Sequence, residues 1–517
     1  MEKVKILWAD DEIELLKPHI LFLKEKGYEV DTANSGEDAL DLVKEKDYEI
    51  VFLDENMPGL SGLETLSRIK QMKSEIPVVM ITKSEEEHIM EDAIGSQIAD
   101  YLIKPVNPNQ ILLSIKKNLE NKRLIREKTS SAYQQEFRSI GMRLGDKLDF
   151  DQWKDIYQKL IFWELELSRT REAGMEEILR MQKSEANNQF NRYIIDNYQA
   201  WLNGKDANPP LLSHTIFKQR VVPEIDKADS VFLILIDNLR FDQWKVIQPV
   251  ITEYFRLESE DLYCSILPTA TQYARNAFFA GLLPSEIEKR FPNHWLNDED
   301  EGGKNLHEEF FMQEQLKRLG KDIRSSYNKV TNIQAGKKLA DNIPNLMNNR
   351  FNAIVYNFVD TLSHARTEME VIWELADDEK AYRSITLSWL EHSPLLDIIR
   401  QIAQRGGRLV ITTDHGTIRV TEPSKLVGDR NTNTNLRYKQ GKNLTYEKKD
   451  VYEIKNPQDI FLPRQHVSTT FVFAKEDKFF AYPNNYNYFV NYYRNTFQHG
   501  GISMEEMLIP FLVLNAK

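Results

Sequence analysis

At 517 residues the chain is too long for a single hydrophobic core, and two or three domains are expected. Its composition, 41% hydrophobic and 28% charged, is that of a globular protein, while a net charge of -12 argues against gripping duplex DNA, which asks for a basic footprint. The single cysteine, Cys264, excludes a disulfide framework and any multi-cysteine zinc finger, and within the apolar run LYCSIL it reads as a small buried hydrophobe.

The opening MEKVKILWADDE enters a strand-like run and then acids, which is not the pattern of a signal peptide. No stretch of about 18 uncharged apolar residues occurs, so no membrane insertion is expected and the cytoplasm is the expected location. Across residues 1–120, short apolar runs (Val4–Ala9, Glu29–Thr32, Ile50–Leu53, Pro77–Ile81, Tyr101–Ile103) alternate with helical segments such as Ser35–Lys46 and Gly62–Lys73. That alternation predicts a flavodoxin-like, doubly wound parallel sheet, whose ligands bind at the carboxyl ends of the strands. Residues 121–205 lose glycine and carry Leu, Ile, Trp and Met at three-to-four spacing among charges, which predicts a bundle of amphipathic helices. The turn-rich NGKDANPP at Asn203–Pro210 closes it.

A second α/β pattern occupies 206–517. Ser230–Ile236, Ala353–Phe358 and Arg408–Thr412 are continuous apolar runs of the buried parallel type. Each is followed by an aspartate, Asp237, Asp360 or Asp414, so three strands deliver carboxylates at one edge. The polar, basic stretch Arg430–Pro457 reads as a long insertion or loop.

In the first segment Asp10, Asp11, Asp54, Thr82 and Lys104 all fall at strand ends. Three crowded acids repel one another unless a divalent cation lies among them, and hard oxygen ligands suit Mg²⁺. A metal-screened carboxylate can attack a phosphoryl group while a hydroxyl and an ammonium steady its oxygens. The runs ADDE, LDENMPGLSG, ITKS and YLIKP resemble the receiver domain of two-component response regulators. The resemblance implies that Asp54 accepts the phosphoryl group. It implies Mg²⁺ on Asp11, Asp54 and the Asn56 carbonyl, with Asp10 assisting through water. Thr82 and Tyr101 would form the switch pair, Lys104 would touch the phosphoryl group, and the Lys104–Pro105 bond would be cis.

In the last segment Asp360 and His364 lie four apart, one face of a helical turn. Asp414 and His415 follow a strand directly, and His499 sits in QHGG, where glycines allow close approach. Mixed Asp and His sets suit Zn²⁺. Two such ions, about 4 Å apart, can clamp an in-line displacement at phosphorus, and a metal-held threonine hydroxyl is a usable nucleophile. The runs IDNLRFD, LPTATQYARNAFFAGLLP, VDTLSH, TTDHG and FQHGGISMEEMLIP resemble the PglZ branch of the alkaline phosphatase superfamily. By that resemblance Asp237, Thr271, Asp414 and His415 hold one zinc, and Asp360, His364 and His499 hold the other. Thr271 is the nucleophile and passes through a phosphothreonine intermediate; Thr269 is its nearest rival. Arg275 and Asn276 are candidates to touch phosphoryl oxygens. The runs NTNTNLRYK and TYEKK either receive a nucleotide's base and phosphate or form a solvated charged loop.

In order and length the whole chain resembles PorX-type response regulators. That resemblance implies a sensor histidine kinase as phosphoryl donor, homodimerisation on phosphorylation, contact with a sigma factor, and control of protein secretion of the type IX class. The expected output is zinc-dependent phosphodiester cleavage in nucleotides or oligonucleotides. The alternative is a non-catalytic module in which zinc braces a surface read by a sigma factor or other protein.

Overall fold

The computed structural model describes residues 4–74, 76–82, 98–170, 173–298, 300, 302–360, 362, 378–429 and 432–517, with backbone alone at 120–127, 170 and 173. The chain forms two compact units, Met1–Gln134 and Gln135–Lys517.

In the first unit, β1 (Lys5–Ala9), β2 (Glu29–Ala33), β3 (Ile50–Asp54), β4 (Val78–Thr82) and β5 (Asp100–Ile103) form a parallel sheet of order β2-β1-β3-β4-β5. Strand side chains alternate between faces. Leu7, Val51, Leu53, Val78 and Met80 pack in one layer with α2 (Gly36–Glu45) and α3 (Gly62–Met72), through Leu40, Val43, Leu66 and Ile69. Ile6, Trp8, Ile50, Phe52, Val79 and Ile81 build the other layer with Leu23 of α1 (Lys17–Glu25) and with Ile111 and Ile115. Ser35 caps α2, and a Ser61–Glu64 capping box starts α3.

The helical pattern resolves into α4 (Pro108–Leu144), α5 (Phe150–Thr170) and α6 (Ala173–Leu202), and the division between the units falls within α4. Of the helices expected over residues 121–205, α5 and α6 belong to the second unit. Their buried faces recur at helical spacing, with Trp153, Ile156, Tyr157 and Leu160 on α5 and Ala186, Phe190, Ile194 and Tyr198 on α6. No described helix is long and apolar enough to cross a membrane.

The rest of the second unit is built on a mixed sheet. It contains β6 (Val231–Ile236), β7 (Phe255–Cys264), β8 (Ser325–Val330), β9 (Phe351–Tyr356), β10 (Arg408–Thr412) and the C-terminal strand Leu508–Ala516. β10, β6, β9 and β8 run parallel, and the C-terminal strand is antiparallel between β10 and β7. Every residue of β6, β9 and β10 is buried, as continuous apolar runs require.

The Arg430–Pro457 stretch differs from the expected loop. It contributes the strands Tyr438–Gly441, Thr445–Tyr446 and Val451–Ile454 to two small sheets. Arg437, Tyr438, Lys439 and Gln440 are buried there, because partners from distant segments satisfy their polar ends.

Candidate functional sites

At the carboxyl edge of the first sheet, Asp10 follows β1, Asp54 ends β3, Thr82 ends β4 and Lys104 follows β5. The Lys104 ammonium lies 3.0 Å from Asp10 and 2.8 Å from Asp54. Asp10, Asp11 and Asp54 each offer an oxygen within 4.8 Å of the others, with Asp10 and Asp54 buried and Asp11 exposed. Burial raises the Asp54 carboxyl above its ordinary range against the pull of Lys104, and the Asp10 charge adds to the rise. Burial opposes the charge on Lys104, yet its bonds to Asp54 and Asp10 hold its pKa above the usual lysine value. Two buried acids and a third beside them, with Lys104 as the cation paired to them among the described residues, make a donor set that fits a divalent cation. Thr82 is buried and Tyr101 half-buried, on adjacent strands, and the Lys104–Pro105 bond is cis. Asn56 is exposed two residues beyond Asp54.

At the carboxyl edge of the second sheet, β6 delivers Asp237, β10 delivers Asp414 and His415, and β9 leads into a helical turn bearing Asp360. Thr271 opens α7 (Thr271–Ala280), so its hydroxyl sits at the positive end of the helix dipole. Its Oγ1 lies 3.1 Å from His415 Nε2 and 3.5 Å from Asp237 Oδ1. His415 Nε2 is 3.8 Å from Asp414 and 3.9 Å from Asp237. His499 Nε2 lies 3.7 Å from Asp360, and the His415 and His499 rings stack 4.3 Å apart. The structure therefore brings together Asp237, Thr271, Asp360, Asp414, His415 and His499; His364 lies outside the described residues.

The loops that carry these groups are tied to one another. Tyr263 donates to the Thr413 carbonyl (2.6 Å), Ser265 donates to the Asp414 carbonyl (2.7 Å), and Leu239 N–H donates to Thr413 Oγ1 (3.0 Å). His415 Nδ1 faces the Gly416 carbonyl and His499 Nδ1 faces the Thr269 carbonyl, both at 3.1 Å. A carbonyl only accepts, so each Nδ1 is the donor, and in the neutral ring Nε2 is then the lone-pair nitrogen on the side of the acids. The rival threonine is already committed. Thr269 is fully buried, donating to the Gly501 carbonyl at 2.9 Å and accepting from Gly500 N–H at 3.0 Å.

Burial pushes the Asp237 carboxyl up to about 6, although Arg275 pulls it down and Asp414 adds to the rise. Asp414 and Asp360 are raised by burial as well, and burial lowers His415. Among the described residues, nothing donates a hydrogen bond to the buried Asp414 Oδ2. Buried acids driven toward their neutral forms, one with an orphaned oxygen, beside two histidine lone pairs make a donor set that fits a hard or borderline dication.

Arg275 and Asn276 are both engaged by the protein itself. The Arg275 guanidinium is buried behind Asp237, 2.6 Å from its Oδ2 and 2.5 Å from Glu308. Glu308 is held in turn by Lys329 at 3.0 Å and by the Tyr327 hydroxyl. Asn276 donates to the Lys304 carbonyl (3.1 Å) and accepts from Asn305, which also donates to the Thr271 carbonyl. Glu308, Lys329 and Asn305 carried no sequence signal: none falls in a motif or at the end of an apolar run. Of the supposed nucleotide-binding run, Arg437 pairs with Glu506 at 2.7 Å. Lys439 donates to the Asn433 carbonyl at 2.7 Å, and burial pulls its pKa down to about 7.

Three family models match successive parts of the chain. They are the response regulator receiver domain over residues 6–116, the PorX response regulator linker domain over 123–202, and the BREX system PglZ alkaline phosphatase-like domain over 216–514. Among curated relatives, the transcriptional regulatory protein ResD of Bacillus subtilis is 31% identical over 114 residues, 22% of this chain and 47% of that protein. The CpxR homolog of Haemophilus influenzae is 38% identical over 114 residues, 22% of this chain and 48% of that protein. The alginate biosynthesis regulator AlgB of Pseudomonas syringae is 34% identical over 120 residues, 23% of this chain and 27% of that protein. This chain thus spans less than half the length of these relatives. The solved structure of the response regulator TrrA from Thermotoga maritima, in complex with Mg²⁺ and BeF, is 32% identical, with a TM-score of 0.21. The match covers 22% of this chain and 98% of that one.

Proposed function

The chain belongs to the PglZ family of alkaline-phosphatase-like domains, carried behind a response-regulator receiver domain and a PorX-type linker, and from that premise we propose that it is a phosphorylation-controlled phosphodiesterase. A receiver domain implies a phosphorylating sensor kinase as partner, here of the histidine kinase class. Asp54 accepts the phosphoryl group, with Lys104, Thr82 and Tyr101 as the contact and switch residues; Asp11, Asp54 and the Asn56 carbonyl, with Asp10 assisting through water, would hold a magnesium ion that supplies positive charge there.

In the output domain, Asp237, Asp414, His415 and Thr271 would hold one zinc ion, and Asp360, His364 and His499 the other. Bound there, the pair supplies positive charge that favours the Thr271 alkoxide and the crowded oxygens of a phosphoryl group in transfer. Thr271 then attacks phosphorus and forms a P–O bond as the P–O bond to the leaving alcohol breaks, its hydroxyl proton passing to solvent and the departing oxygen taking one from water. Water cleaves the resulting phosphothreonine and returns the hydroxyl. Arg275 holds the far oxygen of Asp237, so that Oδ1 stays turned toward Thr271. Nucleotides or oligonucleotides are the proposed substrates. Control of protein secretion, homodimerisation on phosphorylation and contact with a sigma factor are the proposed cellular context.

The observation that carries the reading is the Thr271 hydroxyl, at a helix N-terminus, within hydrogen-bond reach of His415 Nε2 beside two buried acids. The test is turnover of bis-p-nitrophenyl phosphate by the zinc-loaded full chain, with metal content read by elemental analysis. Thr271→Ala should lose at least about a thousandfold in kcat while keeping its zinc. Zinc without turnover in both proteins would instead support the non-catalytic, zinc-braced module.

A further inference from the structure

The four-residue turn Met504–Met507, just before the C-terminal strand, touches both histidine-bearing loops. Gly416, next to His415, donates its N–H to the Glu506 carbonyl at 3.1 Å, and a Cβ at Gly416 would overlap the Glu505 carbonyl oxygen. Gly501, two residues past His499, donates its N–H to Glu506 Oε1 at 2.8 Å. The turn is therefore the shared wall behind His415 and His499. It is gripped in turn by α6. The buried Asn187 amide donates to Glu505 Oε2 at 2.9 Å, and its carbonyl oxygen accepts the Met504 N–H at 2.8 Å. One helix turn earlier, Lys183 lies 3.5 Å from Glu505 and 2.6 Å from Glu164 of α5.

We infer that Asn187 is a positioning residue for the zinc site, through which the PorX-type helical segment sets the spacing of His415 and His499. An amide used at both ends fixes the rotation of the turn, not only its distance. Without it the Met504 N–H and the Glu505 carboxylate lose buried partners, and the turn settles where it can recover them. The two histidine nitrogens then no longer meet their acids at one geometry. Outer groups that orient metal ligands govern affinity in this way, typically by about 10- to 100-fold. The inference rests on the zinc reading of the site given above.

The test is zinc affinity of the full chain, measured by competition with a chromophoric chelator. Asn187→Ala should weaken zinc binding by about 10- to 100-fold. Gln182→Ala, on the same helix, removes a part-buried bond to the Phe137 carbonyl (2.9 Å), which is not part of the turn. It should lower the melting temperature and leave zinc affinity at the wild-type value. Should Asn187→Ala fold poorly, Glu505→Ala should show the same loss of affinity. Glu505→Gln, which keeps an acceptor for the amide, should stay close to wild type. Wild-type affinity in Asn187→Ala or Glu505→Ala overturns the inference alone. A wild-type chain that takes up no zinc overturns the site reading and this inference with it.

Discussion

Two threonines separated by one residue differ in what folding leaves their hydroxyls to do. Thr269 spends its hydroxyl twice, on Gly500 and Gly501, whereas Thr271 is only half-buried and faces His415. Thr269→Val should therefore destabilise the second unit by about 1–3 kcal/mol for each stranded backbone group, and Thr269→Ser should restore it, as urea unfolding would measure. Asp237 gives a pH prediction. Burial raises its pKa from the ordinary 3.8 to about 6, so the metal-free folded state binds its proton more tightly than the unfolded chain. That contribution to stability is complete below about 3.8 and is lost as pH rises through about 6. Zinc requires the opposite form. Its affinity should fall as pH drops below about 6, with proton release on binding, visible by calorimetry in buffers of different ionisation enthalpy.

At the scale of elements, close backbone approach and buried charge decide what the sites tolerate. A Cβ at Gly62, the first residue of α3, would overlap the carbonyl oxygen of Asp54. Gly62→Ala should cost about 1–3 kcal/mol through overpacking, read as a lowered melting point of the first unit. In the second unit a charged network links α5 to the loop after β6. Arg383 lies 2.5 Å from Glu164 and 3.1 Å from Asp242, and Arg240 pairs with both Asp242 and Glu379. The acids of this cluster lie close enough to hold a metal, but cations answer each of them. Arg383→Met should cost about 3–5 kcal/mol in chemical denaturation, because it strands buried carboxylates rather than removing a whole pair. The strands around both sites were legible because a buried parallel strand must be apolar throughout and the acid at its end cannot be. The Arg430–Pro457 segment was not, since Arg437 and Lys439 look solvated until Glu506 and the Asn433 carbonyl are brought to them.

For the whole molecule, phosphorylation adds roughly -1.5 to -2 charges to a pocket that, among the described residues, already holds three acids and one lysine. Magnesium with beryllofluoride should convert the chain to a dimer in light scattering after gel filtration, and Asp54→Ala should abolish the change. Local sequence was enough to determine the α/β alternation, the helical segment between two α/β parts, and the placing of Asp10, Asp54, Asp237, Asp414 and His415 at strand ends. Those features depend on neighbours along the chain: periodicity, strand length and the polar residue that stops a buried run. Only the tertiary structure decided that Thr271 and not Thr269 is open, that Arg275 braces Asp237 from behind, and that Asn187 reaches the turn behind two histidines. These depend on which polar groups are left without partners once distant segments meet, and that quantity does not exist until the chain is folded.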